Sequence, residues 1–208
     1  MVEQLVGGID IFKIGLQLYS AAGPDVIRKV MDLGAKVFLD LKLHDIPNTV
    51  AGAVASCGAL GVEMLTIHLS GGPAMIGAAV DAKPPDMKLL GVTVLTSLDE
   101  AALHMTGVRS TPEEQVWRLA QIGATAGITG FVASPHEAKL LRKEFKQSTI
   151  VTPGIRPKWA SGDDDQRRFM TPREAIDNGA DYLVIGRQIT ADVNPREAVD
   201  RILGEISA

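Results

Sequence analysis

Short apolar stretches alternate with longer amphipathic ones along the whole chain. Seven apolar stretches have the character of β-strands, at residues 9–15, 36–43, 63–69, 88–95, 127–134, 149–155 and 182–189. Within them, continuous apolar runs such as Val37-Phe38-Leu39 are typical of parallel strands buried on both faces. The pattern predicts an α/β fold built around a parallel sheet.

The stretches between the strands predict helices. The clearest are residues 24–33, 49–60, 112–122, 135–145 and 172–178, and several begin with proline and are followed by glycine, as helix boundaries often are. Seven β–α repeats predict a TIM (β/α)8 barrel of which seven strands are readable in this chain. An open, doubly wound sheet is the alternative, because alternation of strands and helices alone does not distinguish the two.

We expect a single (β/α) barrel domain over residues 1–208. The chain has 208 residues, whereas a barrel of this kind takes about 250. Residues 2–7, Val-Glu-Gln-Leu-Val-Gly, have the pattern of the end of a helix. We therefore expect the barrel to be N-terminally incomplete, without one strand and most of one helix.

Composition narrows the classes of function. The chain is 46% hydrophobic and 22% charged, which is ordinary for a globular protein. A net charge of −4 argues against nucleic acid as a partner, and we find no apolar run near the roughly 18 residues that span a membrane. One cysteine and the lack of a secretory pattern favour a cytoplasmic location.

The second predicted strand carries charges inside an apolar run, in the sequence Phe-Leu-Asp-Leu-Lys-Leu-His-Asp from residue 38. On a regular strand Asp40 and Lys42 point to the same face, at the end of the strand where barrel active sites are built. Asp45 completes a D-x-K-x-x-D spacing. Charges in a buried strand are costly unless they are used, so the spacing favours a catalytic site over a structural ion pair.

A further lysine, Lys13, lies between Phe12 and Ile14 on the first predicted strand. A buried charge needs an opposite charge nearby, and Asp40 on the next strand is the predicted partner. The alternative is a lysine at an edge whose amine reaches the solvent.

The last two predicted strands end in basic residues. Arg156 follows Thr-Pro-Gly-Ile and leads into a polar loop that contains Gln166, and Gly186 and Arg187 end the final strand. Loops after the last strands of such barrels often bind phosphate, so two arginines and a glycine predict a phosphate clamp. No H-x-x-H or C-x-x-C spacing indicates a metal site.

Together these motifs resemble the orotidine 5′-phosphate decarboxylase family. The resemblance rests on D-L-K-L-H-D-I-P-N-T at residues 40–49, F-K-I-G at 12–15, H-L-S-G-G at 68–72, V-T-V-L-T-S at 92–97, T-P-G-I-R at 152–156 and I-G-R at 185–187. It covers the whole chain in order. Members of the family begin with a strand carrying an A-L-D motif, which this chain lacks.

The resemblance implies decarboxylation of the nucleotide orotidine 5′-phosphate to UMP in pyrimidine biosynthesis, by a homodimer with shared active sites and no cofactor or metal. It implies that Lys42 is the proton donor, that Asp40 and Lys13 form the charged network around it, and that Asp45 reaches into the neighbour's site. The implied substrate-binding residues are Thr49 at the ribose, Thr96 at the pyrimidine, and Arg156, Gln166, Gly186 and Arg187 at the phosphate.

Two alternatives remain beside this interpretation. A metal-dependent sugar-phosphate decarboxylase or aldolase of the same superfamily shares D-x-K-x-x-D, but such relatives have an acidic residue where Lys13 stands. A catalytically silent barrel that only binds nucleotide is the second alternative. His68, at the end of the third predicted strand, is expected to be structural or to form an interface.

Overall fold

The computed structural model describes residues 1–160 and 170–207. Within them the strands are β1 (Ile11–Gly15), β2 (Lys36–Leu43), β3 (Met64–His68), β4 (Lys88–Val92), β5 (Gly130–Val132), β6 (Thr149–Thr152) and β7 (Tyr182–Leu183). Each predicted strand is present at its predicted place, although most are shorter than predicted. The second half of the last prediction is wrong, because residues 187–190 form a helix. Gly186 precedes that helix, and its carbonyl accepts hydrogen bonds from the N–H groups of Ile189 (2.9 Å) and Thr190 (3.0 Å).

The helices of the described residues are α1 (Val2–Leu5), α2 (Leu16–Ala22), α3 (Asp25–Asp32), α4 (Pro47–Gly58), α5 (Gly72–Ala82), α6 (Glu100–Met105), α7 (Pro112–Thr125), α8 (Pro135–Glu144), α9 (Pro172–Asp177), α10 (Arg187–Thr190) and α11 (Pro195–Ser207). Each of the five clearest predicted helices is present among them, as α3, α4, α7, α8 and α9. Proline opens several of them, since its fixed φ suits the first helical turn and its missing N–H would be unpaired there anyway. None of the described helices combines the length and the apolar character needed to cross a membrane.

The described chain divides into two compact units. The first contains Met1–Gly91 and Ile122–Thr129. In it β1 runs parallel to β2, with Gly15 opposite Asp40, and β2 runs parallel to β3. Its core contains fully buried apolar side chains, among them Ile27, Leu39, Leu65, Ile67 and Ile76.

Charges also meet at the amino ends of the strands of this first unit. The Glu63 carboxylate lies 2.9 Å from Nζ of Lys88 and 3.4 Å from Nζ of Lys36. We call Lys36, Glu63 and Lys88 the amino-end triad. It joins the starts of β2 and β4 to the residue that precedes β3.

The second unit contains Val92–Gln121 and the described part of Gly130–Ala208. Here β5, β6 and β7 are parallel neighbours in that order. Phe131 is fully buried in the core of this unit and its ring lies 5.0 Å from that of Phe145. Arg142 braces the unit, because its guanidinium donates to the carbonyl of Gly179 and to the carboxylate of Asp181. That the two units form one domain stays a prediction.

Candidate active site

Three charged side chains meet at the carboxyl ends of β1 and β2, in the first unit. Nζ of Lys42 lies 2.8 Å from both carboxylate oxygens of Asp40. Nζ of Lys13 lies 3.4 Å from Oδ2 of the same carboxylate, so the predicted partner of Lys13 is present. The expectation that Lys13 is buried is wrong, because its side chain is 35% exposed. We call Lys13, Asp40 and Lys42 the carboxyl-end triad.

The backbone at Lys42 is not that of a regular strand. Its φ is 53°, in the left-handed region that side chains other than glycine rarely adopt. Between the pairs Leu39–Leu65 and Leu43–Ile67 the chain advances four residues on β2 and two on β3. The prediction that simple alternation brings Asp40 and Lys42 to one face is therefore wrong in its reason, although the two side chains do meet. An irregularity in the ladder, as in a β-bulge, turns the backbone between them.

Thr66 of β3 lies opposite this irregularity and was not predicted. Its side-chain oxygen accepts a hydrogen bond from the backbone N–H of Lys42 (2.9 Å) and donates one to Oδ1 of Asp40 (3.0 Å). The residue is fully buried. A polar side chain within the apolar run Met-Leu-Thr-Ile was the signal in the sequence that could have drawn attention to it.

The electrostatics of the carboxyl-end triad keep Asp40 ionised. Burial raises the pKa of Asp40, but hydrogen bonding and charge from Lys42, the charge of Lys13 and the hydrogen bond from Thr66 together hold that pKa below its ordinary value. With both lysines protonated the triad carries a net charge of one positive unit. Such a cluster can attract an anionic substrate and stabilise negative charge that develops beside it.

Asp45 and Thr49 lie at the beginning of α4, beyond the carboxyl end of β2. Both are exposed. Oδ1 of Asp45 accepts a hydrogen bond from the N–H of Ile46 at 2.6 Å, and the ion pairs within the described residues do not join Asp45 to Lys42. Asp45 therefore does not belong to the carboxyl-end triad of its own chain.

Two histidines lie beside this triad. The rings of His44 and His68 are 5.4 Å apart and tilted by 43°. Burial lowers the pKa of His68, and the neighbouring His44 and Lys42 lower it further, against a smaller opposing effect of Asp40. A neutral His68 therefore contributes no positive charge near Lys42 at neutral pH.

The residues predicted to bind phosphate and pyrimidine belong to the second unit. Arg156 follows β6, is 8% exposed, and its N–H donates to the carbonyl of Met170 at 2.9 Å. Gly186 and Arg187 follow β7, where α10 begins. Because β6 and β7 are parallel neighbours, these residues follow strand ends at the same edge of the sheet. Thr96 is half-buried beyond the end of β4, and Gln166 lies outside the described residues.

Among residues 1–160 and 170–207, no three side chains of histidine, cysteine, aspartate or glutamate come together as a metal-binding group would require. The predicted independence of metal stays a prediction, because the reaction itself has to test it.

Comparison with known proteins identifies relatives over the whole chain. A sequence model of the orotidine 5′-phosphate decarboxylase / HUMPS family matches residues 1–202. The chain is 49% identical over 212 residues to the orotidine 5′-phosphate decarboxylase of Opitutus terrae, covering 100% of this chain and 92% of that protein. It is 46% identical over 212 residues to that of Idiomarina loihiensis, covering 99% of this chain and 90% of that protein. The family resemblance expected from the motifs is confirmed.

Solved structures support the fold. The crystal structure of orotidine 5′-phosphate decarboxylase from Lactobacillus acidophilus matches with a TM-score of 0.81 and 37% identity, over 94% of this chain and 86% of that one. The enzyme of the same name from Pyrococcus horikoshii OT3 matches with a TM-score of 0.79 at 23% identity, over 100% of this chain and 91% of that one, which is a likeness of fold. The prediction of a TIM-barrel fold with seven readable parallel strands is confirmed.

Proposed function

We propose that this chain, which belongs to the orotidine 5′-phosphate decarboxylase / HUMPS family, converts orotidine 5′-phosphate into UMP and CO2 without a cofactor. The observation that carries the proposal is the carboxyl-end triad, in which Asp40 holds the ammonium groups of Lys13 and Lys42. The names of relatives that are 49% and 46% identical support the same substrate. Lys13 also distinguishes the chain from the sugar-phosphate class, in which an acidic residue is expected at that position.

The reaction breaks the bond between C6 of the pyrimidine and the carboxylate carbon. The electron pair of that bond stays on C6, and CO2 leaves. In our proposal the ammonium group of Lys42 then gives a proton to C6, so that an N–H bond breaks and a C–H bond forms. The neutral amine of Lys42 regains its proton from water after UMP is released.

The carboxyl-end triad suits this chemistry because its charges are in place before the substrate arrives. Both carboxylate oxygens of Asp40 accept hydrogen bonds from Nζ of Lys42 and so orient the amine, and both residues belong to β2. Fixed charges of this kind stabilise a developing carbanion without the cost of reorganising solvent. The carbanion lies in the plane of the ring, so the ring's π system cannot delocalise it.

One charge pair does not supply the whole effect. Two unit charges about 4 Å apart interact by roughly 4 kcal/mol at an effective dielectric constant of 20, whereas enzymes lower barriers by up to about 23 kcal/mol. Binding energy from the remote phosphate must contribute. For this role we propose Arg156, Gln166, Gly186 and Arg187, with Thr49 at the ribose and Thr96 at the pyrimidine.

The test is decarboxylation of orotidine 5′-phosphate by the purified chain after dialysis against EDTA. We expect CO2 and UMP in equal amounts, at a rate that added Mg2+ does not change. Activity that EDTA removes and Mg2+ restores would support the metal-dependent sugar-phosphate class instead. Binding of UMP without any turnover would support the silent barrel.

We further propose that the reaction takes place in the cytoplasm, where the buried thiol of Cys57 stays reduced.

We also propose that the active enzyme is a homodimer in which Asp45 completes the site of the partner subunit. Its exposed position at the start of α4 supports this, as does the neighbouring Ile46, an apolar side chain that is 67% exposed. A partner subunit that covers Ile46 would remove this apolar side chain from water.

Mixing two inactive variants tests the shared site. Dimers of Lys42→Ala with Asp45→Ala contain one site with both residues intact, and random exchange makes about half of all dimers mixed. We expect about a quarter of the parental activity to return. No recovery, with subunit exchange verified by native mass spectrometry, would contradict a shared site.

A further inference from the structure

We propose that Thr66 is a positioning residue of the active site, whose hydroxyl sets the arrangement of Asp40 and Lys42. The inference rests on the proposed function for its consequence in catalysis. Thr66 touches neither the substrate nor the reacting carbon in this proposal. It acts through the two residues to which it is hydrogen-bonded.

The ladder between β2 and β3 is irregular beside Thr66. Four residues of β2 span the distance of two residues of β3, and Thr66 lies between the two flanking pairs. At this point the N–H of Lys42 donates to the side chain of Thr66 at 2.9 Å. The threonine hydroxyl therefore supplies an acceptor for that backbone group.

The side-chain oxygen of Thr66 accepts one of its two hydrogen bonds and donates the other. The backbone N–H of Lys42 can only donate, so the oxygen of Thr66 is its acceptor. The single hydroxyl hydrogen is then available for Oδ1 of Asp40, which is 3.0 Å away and can only accept when ionised. One hydroxyl thus fixes both the backbone of the proposed proton donor and the carboxylate that orients its amine.

The backbone of Lys42 is strained. A residue other than glycine adopts a φ of 53° at a cost in energy and keeps it only where the surroundings hold it. The contact from Thr66 is one such restraint, and it comes from a side chain with no exposed surface. Without it, we expect the backbone of Lys42 to relax and its amine to move away from the reacting carbon.

Thr66→Val is the informative variant, because valine has almost the same shape and lacks the hydroxyl. We expect kcat to fall by at least about tenfold while KM stays within about threefold, since the proposed phosphate and ribose contacts are unchanged. Thr66→Ser keeps the hydroxyl, so we expect it to retain most of the parental kcat. Thr93→Val is the matched control: Thr93 is 4% exposed and its hydroxyl donates to the carbonyl of Val132 at 2.9 Å.

A second measurement does not depend on activity. The hydrogen bond from Thr66 lowers the pKa of Asp40, so Thr66→Val should raise it, and Thr66→Ser should restore it. Titration of the Asp40 carboxyl carbon by NMR in the full chain reports this directly. A hydroxyl that matters only for packing would change the thermal midpoint and leave this titration unchanged.

The outcomes separate the two proposals. An unchanged kcat and an unchanged Asp40 titration in Thr66→Val would overturn the role of Thr66 while leaving the decarboxylase function intact. An inactive parental chain would overturn the proposed function, and the Asp40 titration would still decide whether Thr66 sets the state of that carboxylate. Equal losses of kcat in Thr66→Val and Thr93→Val would also overturn the positioning role.

Discussion

The first unit contains two clusters of the same composition at opposite ends of its strands, each with one carboxylate between two lysines. In the amino-end triad Glu63 contacts Lys36 and Lys88, and in the carboxyl-end triad Asp40 contacts Lys13 and Lys42. The pKa of each carboxyl group lies below its ordinary value. Composition and charge alone would therefore assign the two clusters the same role.

Their surroundings differ. The side chain of Asp40 is 12% exposed and that of Glu63 is 22% exposed. The carboxyl-end triad has a residue with left-handed backbone and a buried hydroxyl that bonds to two of its members. For the amino-end triad the structure shows ion pairs between residues of ordinary backbone conformation.

From this difference we expect the amino-end triad to contribute to stability and the carboxyl-end triad to function. Ion pairs with exposed lysines contribute up to about 1 kcal/mol, and the amino-end triad uses them to join neighbouring strands. The carboxyl-end triad includes a backbone strain of about 1–3 kcal/mol that its ion pairs alone do not explain. Strain held by surrounding contacts is typical of functional sites, and active sites of barrels lie at this end of the strands.

The largest expected effect comes from removing one lysine of each cluster. Lys42→Ala should lower kcat by at least about 10³-fold, because the proposed proton donor is lost. Lys36→Ala should leave kcat unchanged. The measurement is the initial rate of decarboxylation, with binding of UMP followed by calorimetry, and we expect both variants to bind UMP as the parental chain does.

Two results would contradict this distinction between the clusters. A Lys42→Ala rate within about tenfold of the parental rate corresponds to only about 1.4 kcal/mol and would contradict proton donation by Lys42. An equally large loss in Lys36→Ala would show that the two clusters are not functionally distinct.

The sequence predicts the members of the carboxyl-end triad but not those of the amino-end triad. The spacing of Asp40 and Lys42 predicts that they meet. The expected pairing of Lys13 with Asp40 names the right partner, although its premise of a buried lysine is wrong, because the Lys13 side chain is 35% exposed. The contacts of Thr66 could not be predicted, because they depend on the register between β2 and β3, and a sequence does not specify an irregularity in that register. The amino-end triad was missed because Lys36, Glu63 and Lys88 lie far apart in sequence at ordinary strand beginnings.

The outlines of the fold were easier to predict than its ends. Apolar runs bounded by glycine and proline located all seven strands, since burial on both faces leaves a continuous apolar signal. The same signal gives the wrong end for β7. The apolar residues 183–185 and Ile189 predict one continuous strand, whereas Ile189 belongs to α10 and is buried there. The roles of Arg156, Gly186 and Arg187 rest on resemblance, because they depend on a ligand.

A smaller effect is expected from Gly15, which faces the carboxyl-end triad. A Cβ atom at Gly15 would lie 3.1 Å from Nζ of Lys13, so Gly15→Ala should displace that amine from Asp40. We expect kcat/KM to fall by about three- to tenfold, less than for Lys42→Ala, because the proposed proton donor remains. Gly77→Ala is the control, since a Cβ at Gly77 meets nothing within 4 Å. Equal activity of Gly15→Ala and Gly77→Ala would mean that the position of Lys13 does not matter.

The smallest expected effect concerns stability, and it depends on pH. Hydrogen bonding from Lys88 lowers the pKa of Glu63 against the opposing effect of burial, and Lys36 lowers it further. A carboxyl group whose pKa is lowered on folding stabilises the protein above its ordinary value of 4.5, and this contribution disappears as the pH falls through the pKa of the folded state. Glu63→Gln should therefore lower the thermal midpoint by about 2–4 °C at pH 7, and the difference from the parental chain should shrink below about pH 4.5.

A second variant controls for the change in net charge. Asp86→Asn removes an exposed carboxylate of the same unit and should leave the thermal midpoint unchanged. Decarboxylation by Glu63→Gln should stay within about twofold of the parental rate at a temperature where both chains are folded. A difference in midpoint that grows as the pH falls would contradict the stabilising role of ionised Glu63, and a large loss of activity at unchanged midpoint would assign the amino-end triad a part in catalysis.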